Sequence, residues 1–320
     1  MKSRFATLVA RNTPLRGLTM FMQATLIVTL ALTRFAPSAN AQPFVYVVTL
    51  TQQFGTLDLA NGQFTPIGNG TPDGLSNLIL LPDGFLLSLA TTGSDAGYLV
   101  RIDPATGNEV VLRPVTYQGQ PMGFNVFDLA EAGGRIYITD FSNNLYTVHL
   151  ATGAATLVGR NGGTTGMRPD PNIPLTFNQE DHTFNLCDEG LYGFGGKLYA
   201  TFDSFAIDPN AIPPTRAREY LSPYIWQIDP HTAKATFVAQ TDWQLSAIVE
   251  VNGRFYAFKA VLDGFDFSFN VPIGHAELVT LDLRTGKTSK IADIDPSLGP
   301  IFGAVPVRSA LIEGAIHREF

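Results

Sequence analysis

Short apolar runs broken by glycine turns recur along the chain from residue 44 onward, and the order of the pieces repeats. Apolar stretches Leu75–Leu81, Val126–Ala132, Leu186–Phe194 and Leu245–Val251 are followed by a Gly turn and a second run. That second run is Phe85-Leu86, Arg135-Ile136-Tyr137, Lys197-Leu198-Tyr199 and Arg254-Phe255-Tyr256 in turn. Glycine supplies the positive φ of tight hairpins, and aromatic or branched residues suit a pleated, buried surface, so each pair predicts two antiparallel strands. A third and fourth run flank a second turn. Asp103-Pro104-Ala105-Thr106-Gly107, His149-Leu150-Ala151-Thr152-Gly153 and Asp282-Leu283-Arg284-Thr285-Gly286 are its clear copies. Asp58-Leu59-Ala60-Asn61-Gly62 and Asp229-Pro230-His231-Thr232-Ala233 are weaker ones.

The five copies begin 45, 46, 80 and 53 residues apart. A period in the forties with four short strands per unit is the signature of a β-propeller. The first unit, Phe44–Ile67, holds only three strands, and an unmatched apolar segment, Ile301–Val307, follows the fifth turn. Pairing that segment with the first unit removes the exposed edges of an open array. The expectation is therefore an all-β chain, a single five-bladed β-propeller of four-stranded blades closed by the C-terminal strand. Six blades are the alternative, with the extra one between Arg160 and Asn185. Pro169, Pro171 and Pro174 and the weak alternation there favour a loop.

The motifs Leu99-Val100-Arg101-Ile102-Asp103-Pro104-Ala105-Thr106-Gly107 and Ile225-Trp226-Gln227-Ile228-Asp229-Pro230-His231-Thr232 resemble those of secreted bacterial propeller-repeat proteins, whose repeats read Leu-Tyr-Xaa-Ile-Asp-Pro-Xaa-Thr-Gly. The resemblance spans nearly the whole chain beyond residue 41. It implies the fold and carries no enzyme family's residue set with it, because propellers host binding proteins, hydrolases, lactonases and lyases alike.

Residues 1–41 have a different composition. Lys2, Arg4, Arg11 and Arg16 precede an apolar run from Gly17 to Thr33, and Ala39-Asn40-Ala41 is a small-residue cleavage motif. This predicts a signal peptide, 1–41, ahead of a propeller domain, 42–308, and a tail, 309–320. The protein is expected to be secreted or periplasmic, with no membrane association after signal removal. Residues 1–41 carry five of the 21 Lys/Arg and none of the 28 Asp/Glu. The remainder thus holds 16 against 28, a net charge of −12. Nucleic-acid binding needs clustered positive charge and is excluded as an expectation; neutral or cationic small molecules suit this field. Cys187 is the one cysteine, so no intramolecular disulfide forms. No feature of the sequence fixes an oligomeric state.

In a propeller meander the turns after the first and third strands of each blade lie on one face, and the remaining connections lie on the other. Here the first kind are all tight. The long segments, Arg160–Thr183, Asp203–Pro223 and Leu262–Gly274, are all of the second kind. Loops this long in a compact domain are commonly functional. They are expected to cover a pocket for a small-molecule ligand. His182 follows Glu180 and Asp181, a setting suited to proton transfer. Asp140 and Lys259 occupy matching positions at the loop ends of their strands, where each faces the pocket or forms a structural ion pair. Together these five are the candidate catalytic set. Phe177, Phe184, Phe202, Phe265 and Phe267, with Arg216, Arg218 and His275, are the candidate substrate contacts. Gly264-Phe265-Asp266-Phe267-Ser268-Phe269-Asn270 alternates like a hairpin arm. A divalent metal is a weaker expectation, from Asp140, Glu180, Asp181, His182, Asp188 and His275. No calcium-loop or zinc spacing accompanies them. The leading functional expectation is an exported propeller enzyme of hydrolase, lactonase or lyase type acting on a small, partly apolar molecule. The alternative is a non-catalytic propeller that binds a ligand or a protein.

Overall fold

The computed structural model describes residues 43–71, 74–91, 93–140, 144–160, 187–204, 221–266 and 271–307, all within the unit Gln42–Phe320. They form five sheets arranged as the blades of a propeller, each built on four antiparallel strands. Blade 1 contains β1 (Phe44–Thr49), β2 (Phe54–Asp58) and β3 (Phe64–Pro66). Blade 2 contains β4 (Ile79–Leu80), β5 (Leu86–Leu89), β6 (Tyr98–Ile102) and β7 (Glu109–Pro114). A small hairpin, β8 (Thr116–Tyr117) and β9 (Gln120–Pro121), leads to blade 3: β10 (Val126–Ala132), β11 (Arg135–Asp140), β12 (Asn144–Val148) and β13 (Ala154–Arg160). Blade 4 is β14 (Cys187–Phe194), β15 (Lys197–Ser204), β16 (Leu221–Ile228) and β17 (Ala235–Gln240). Blade 5 is β18 (Leu245–Val251), β19 (Arg254–Asp266), β20 (Val271–Leu281) and β21 (Thr288–Asp293).

The last strand, β22 (Ile301–Pro306), returns to blade 1 and pairs with β1, from Val45↔Pro306 to Thr49↔Ile301. The expected closure is thus present, three strands coming from one end of the repeat array and one from the other. The hairpin β8–β9 is an addition to the expected plan. β8 runs parallel to the start of β13, so blade 3 has six strands rather than four.

The buried apolar residues fall into five clusters, one at each blade–blade junction. Val45 and Leu57 of blade 1 meet Val249, Phe258 and Leu278 of blade 5. Val48 and Phe54 meet Leu86 and Val100. Leu87 and Leu99 meet Leu129 and Ile138. Ala130 and Tyr137 meet Leu191 and Trp226. Tyr192 and Ile225 meet Ile248 and Val279. A blade therefore packs on both faces. Tyr137 faces blade 4 while its neighbour Ile138 faces blade 2, which is why the inner strands read as continuous apolar runs rather than strict alternations.

The repeated Asp-Xaa-Xaa-Thr-Gly turn has a double role. Its aspartate accepts from the backbone two residues on, as Asp58 does from Ala60, Asp103 from Ala105, Asp229 from His231 and Asp282 from Arg284. Its glycine has positive φ, and it also lies against the end of the preceding blade's outermost strand. A Cβ on Gly107 would meet the carbonyl of Ile67 at 2.7 Å, and on Gly153 or Gly286 it would strike Pro114 or Gln240. Blade 4 departs from the motif with Ala233 at φ 56°. There the preceding blade supplies the space instead, through Gly159, whose own Cβ would come within 3.2 Å of the Ala233 methyl. The motif is a joint between blades as much as a turn within one.

Candidate functional site

The propeller axis is lined by β22, β4, β10, β14 and β18, the innermost strand of each blade. Glycine lets these strands approach closely. A Cβ on Gly193 of β14 would strike the Glu131 carbonyl of β10, and one on Gly303 of β22 would lie 2.8 Å from the Asn77 Cα. Where they converge, two buried polar side chains bind the blades together. Asp128 Oδ1 accepts from the amides of Leu129 at 2.8 Å and Asn77 at 3.1 Å, and Asp128 Oδ2 accepts from Leu191 N–H at 2.6 Å. The Asn77 side-chain amide donates to the Leu191 carbonyl at 2.8 Å, and its oxygen accepts from Leu78 and, more distantly, Ala304. Four inner strands are joined in this way. Asp128 is 4% exposed and Asn77 5%. Ser88 Oγ adds bonds to the carbonyls of Ser76 and Asn77.

On the tight-turn side of this network lies a cavity of about 300 Å³ to which all five blades contribute. On the other side are the ends of the strands that lead into the long segments. Three inner strands carry a bulge at this level, between Val126 and Asp128, Asp188 and Gly190, and Leu245 and Ala247. The extra residue bends the strand at the approach to the loop face.

Asp140 pairs with Val126 and Lys259 with Leu245, so the two occupy the same register position, one residue before the bulge. Their side chains have different fates. Asp140 is 8% exposed and accepts from Asn144 N, Asn144 Nδ2 and the Tyr146 hydroxyl, at 2.8, 2.9 and 2.9 Å. It thereby shapes the turn of its own blade. Burial, reinforced by the bond to Asp140, pushes the Tyr146 hydroxyl up to about 12. Lys259 pairs with Asp242 at 3.3 Å, and Asp242 also accepts from the Thr288 hydroxyl at 2.9 Å. Lys259 thus makes an ion pair, whereas Asp140 accepts from neutral groups of its own blade.

His275 lies on β20 opposite Val261, two residues from Glu277. Glu277 pairs in register with Lys259 on one side and Asp293 on the other. One donor atom each from His275, Glu277 and Asp293 fall within 4.8 Å of one another, a grouping the sequence reading did not assemble. The His-Xaa-Glu spacing on a strand was its local signal, since alternate residues share a face. Lys290 donates to Glu277 at 2.7 Å and to Asp293 at 2.6 Å, so a protein cation already bridges the two carboxylates and offsets one of their charges.

His182, Asp181, Glu180, Phe177, Phe184, Phe267, Arg216 and Arg218 lie outside the described residues. Phe202 and Phe265 are placed by their backbone, on β15 and β19, as Asp188 and Cys187 are on β14. The alternating segment around Phe265 is an extension of the β19–β20 ladder, paired as far as Asp266↔Val271. These strands have 13 and 11 residues, against 6 and 5 for the corresponding pair β11–β12. The insertion expected from Leu262 to Gly274 is therefore strand over its described residues, up to Asp266 and from Val271.

No family model matches the chain, and no curated protein matches it. Several solved structures are similar to it at low identity. A protein of unknown function from Bacteroides caccae is 12% identical, covers 84% of this chain and 100% of its own, and gives a TM-score of 0.42. The dihydro-heme d1 dehydrogenase NirN, in complex with DHE, is 13% identical over 76% of this chain, with a TM-score of 0.33. The computationally designed protein Ika8 is 13% identical over 83% of this chain, with a TM-score of 0.30. The chain spans 63% of the length of Ika8 and 52% of that of NirN.

Proposed function

We propose that the protein is an exported β-propeller that binds a small, partly apolar molecule on the face bearing the long segments. The observation that carries this reading is the β19–β20 arm, which extends one blade well beyond the corresponding strands of blade 3 and brings an alternating Phe265, Phe267 and Phe269 sequence with it. A strand-built arm is a stiffer support for a binding surface than an irregular loop, and apolar walls with a few polar groups are the usual make-up of a ligand pocket. Export rests on the basic, apolar and small-residue order of residues 1–41.

Catalysis is the second reading, and a specific feature favours it. Glu180, Asp181 and His182 come a few residues before the inner strand β14, which begins at Cys187. In this reading His182 is the acid or base of a hydrolase, lactonase or lyase, with Asp181 or Glu180 raising its basicity. Asp140 and Lys259, committed to neighbours, contribute scaffold rather than chemistry.

A thermal-shift screen of a metabolite library against the protein beginning at Gln42 tests the binding reading. The expected result is a hit that stabilises the wild type and fails to stabilise a variant with Phe265, Phe267 and Phe269 all changed to Ser. A library with no stabilising compound, or hits indifferent to those three residues, goes against it. Product formation from the hit, lost in His182→Ala, converts the binding site into an active site.

A further inference from the structure

The cavity on the tight-turn side of the axis has a chemistry of its own. Its walls come from Asn77 and Leu80 of blade 2, Glu131 of blade 3, Phe194 of blade 4, Ile248 and Glu250 of blade 5, and Val305 of blade 1, among others. The charged residues lining it are Glu131 and Glu250; among the described residues no lysine, arginine or histidine lines it. Glu131 pairs with Ile136, Gly193 with Leu198 and Glu250 with Phe255, each one step from the end of its ladder. The three are therefore register equivalents in consecutive blades, two carboxylates with a glycine between them. Gly193, required by the close approach of β14 to Glu131, leaves no side chain at the intervening position.

The rest of the lining is mostly apolar or aromatic. Phe194 is half-buried and held by Tyr192, Tyr199 and Phe255, with ring centroids 6.1, 5.7 and 5.3 Å away. Asn77 of the axial network is part of the cavity's wall, and Glu131, Phe194, Gly195 and Glu250 place the cavity toward the tight-turn ends of the inner strands, the ends opposite the long segments. Glu131 is exposed at the rim; its Oε1 accepts from Gly134 N–H of its own turn at 2.6 Å, which leaves Oε2 for a ligand. The Glu250 charge reaches the nearby Tyr199 hydroxyl and, after burial, helps to raise its pKa.

We propose that this axial cavity binds an organic ammonium ion with a compact apolar body, its charge shared between Glu131 and Glu250 and its body against Phe194, Ile248 and Val305. A volume of about 300 Å³ is at the small end of ligand pockets, which sets the size class. Two carboxylates without a lining cation favour a positive ligand, an aromatic face adds cation–π attraction, and the net charge of −7 draws cations toward the surface.

Calorimetric titration with three matched probes tests this: cyclohexylmethylammonium, cyclohexylmethanol and cyclohexanecarboxylate. The ammonium is expected to bind at least about tenfold more tightly than the alcohol, with the carboxylate undetectable, and its affinity to fall with added salt. The double variant Glu131→Gln/Glu250→Gln is expected to lose at least about tenfold in affinity for the ammonium, while Glu277→Gln, a carboxylate away from the axis, leaves it unchanged. Glutamine keeps an oxygen acceptor and the side-chain shape at both positions, so an unaltered melting temperature separates loss of charge from loss of fold. Equal binding of the alcohol, retention of affinity in the double variant, or displacement by potassium ion at the same concentration would each overturn the proposal. His182→Ala is expected to have no effect on it, so failure here is distinguishable from failure of the long-segment site.

Discussion

The Leu191 amide of blade 4 donates to the Asp128 carboxylate of blade 3 at 2.6 Å, with both residues buried at the propeller axis. The same carboxylate holds the amide of Asn77 in blade 2, so one side chain ties three blades together. Replacing it strands three buried amides, those of Leu129, Asn77 and Leu191.

Asp128→Ala is accordingly expected to cost at least about 3 kcal/mol, since each buried unsatisfied group costs about 1–3 kcal/mol. In a domain of this size that lowers the melting temperature by roughly 6–12 °C. Asp128→Asn keeps an acceptor but turns an NH2 group toward one of the amides, and is expected to cost about half as much. Urea denaturation of the two variants gives the comparison; an Ala variant as stable as the wild type would refute the stitching role.

The joints between blades make a second prediction. Gly286→Ala drives a Cβ into the Gln240 carbonyl while φ stays at 72°, and Gly84→Ala adds a Cβ at φ 87° with nothing within 4 Å. The second carries the conformational strain alone, about 1 kcal/mol. The first adds a clash between blades and is expected to cost at least about 2 kcal/mol more. Equal losses in the two variants would show that the glycine serves only its own turn.

Ring closure is tested by removing residues from Pro300 onward. The edge of β1 loses its partner and β18 loses a packing neighbour, and an unpaired strand edge recruits other chains. Size-exclusion chromatography is expected to show aggregates. A monomer with an unchanged melting temperature rules out a structural need for β22.

Alkaline pH makes a fourth. The Tyr146 hydroxyl is raised to about 12 by burial and by its bond to Asp140, and Tyr46 and Tyr199 are also raised, chiefly by burial. The Lys290 ammonium is raised by Asp293 and Glu277. In each case the folded state holds the proton more tightly than the unfolded chain. The contribution is complete below about pH 10 and is lost as the pH rises through the folded values. Stability measured by urea titration should therefore fall between about pH 10 and 12. The fall should be shallower in Tyr146→Phe, which has no proton to lose there.

Loss of a general acid–base group usually lowers turnover by about 10²–10⁴-fold. If a substrate emerges from the metabolite screen, that is the loss expected for His182→Ala, at unchanged melting temperature. Full turnover in that variant leaves the binding reading standing alone.

The blade boundaries were legible because they depend on local chemistry. Glycine at positive φ, the aspartate that accepts from its own turn, and apolar runs buried on two faces all leave marks within a few residues. β10 and β18 run over the residues expected of them, and β22 over all but the last. The inner strand of blade 2 is the exception: only Ile79–Leu80 is regular, because Ser76 and Asn77 turn their backbones to other partners. The axial network was not legible. Its bonds join residues 51, 63, 114 and 227 positions apart, and an asparagine or aspartate inside an apolar run gives no sign of its partner. The equivalence of Asp140 and Lys259 could be read from the repeat, but their different partners could not. Tyr146 and Asn144 claim one, and Asp242, from a neighbouring connection, claims the other.

The innermost strand of the first blade is the last strand among the described residues. During synthesis, then, β1 emerges early and waits for β22 while the other four blades are made. Each of those blades is contiguous in sequence and can form as soon as its own four strands are available. The first cannot. A ribosome that stalls in the fifth blade releases a molecule with most of its architecture and an adhesive edge at its centre. The seam thus makes closure the last step: the ring stays open until Ile301–Pro306 reaches β1, and the edge of β1 has no partner before then.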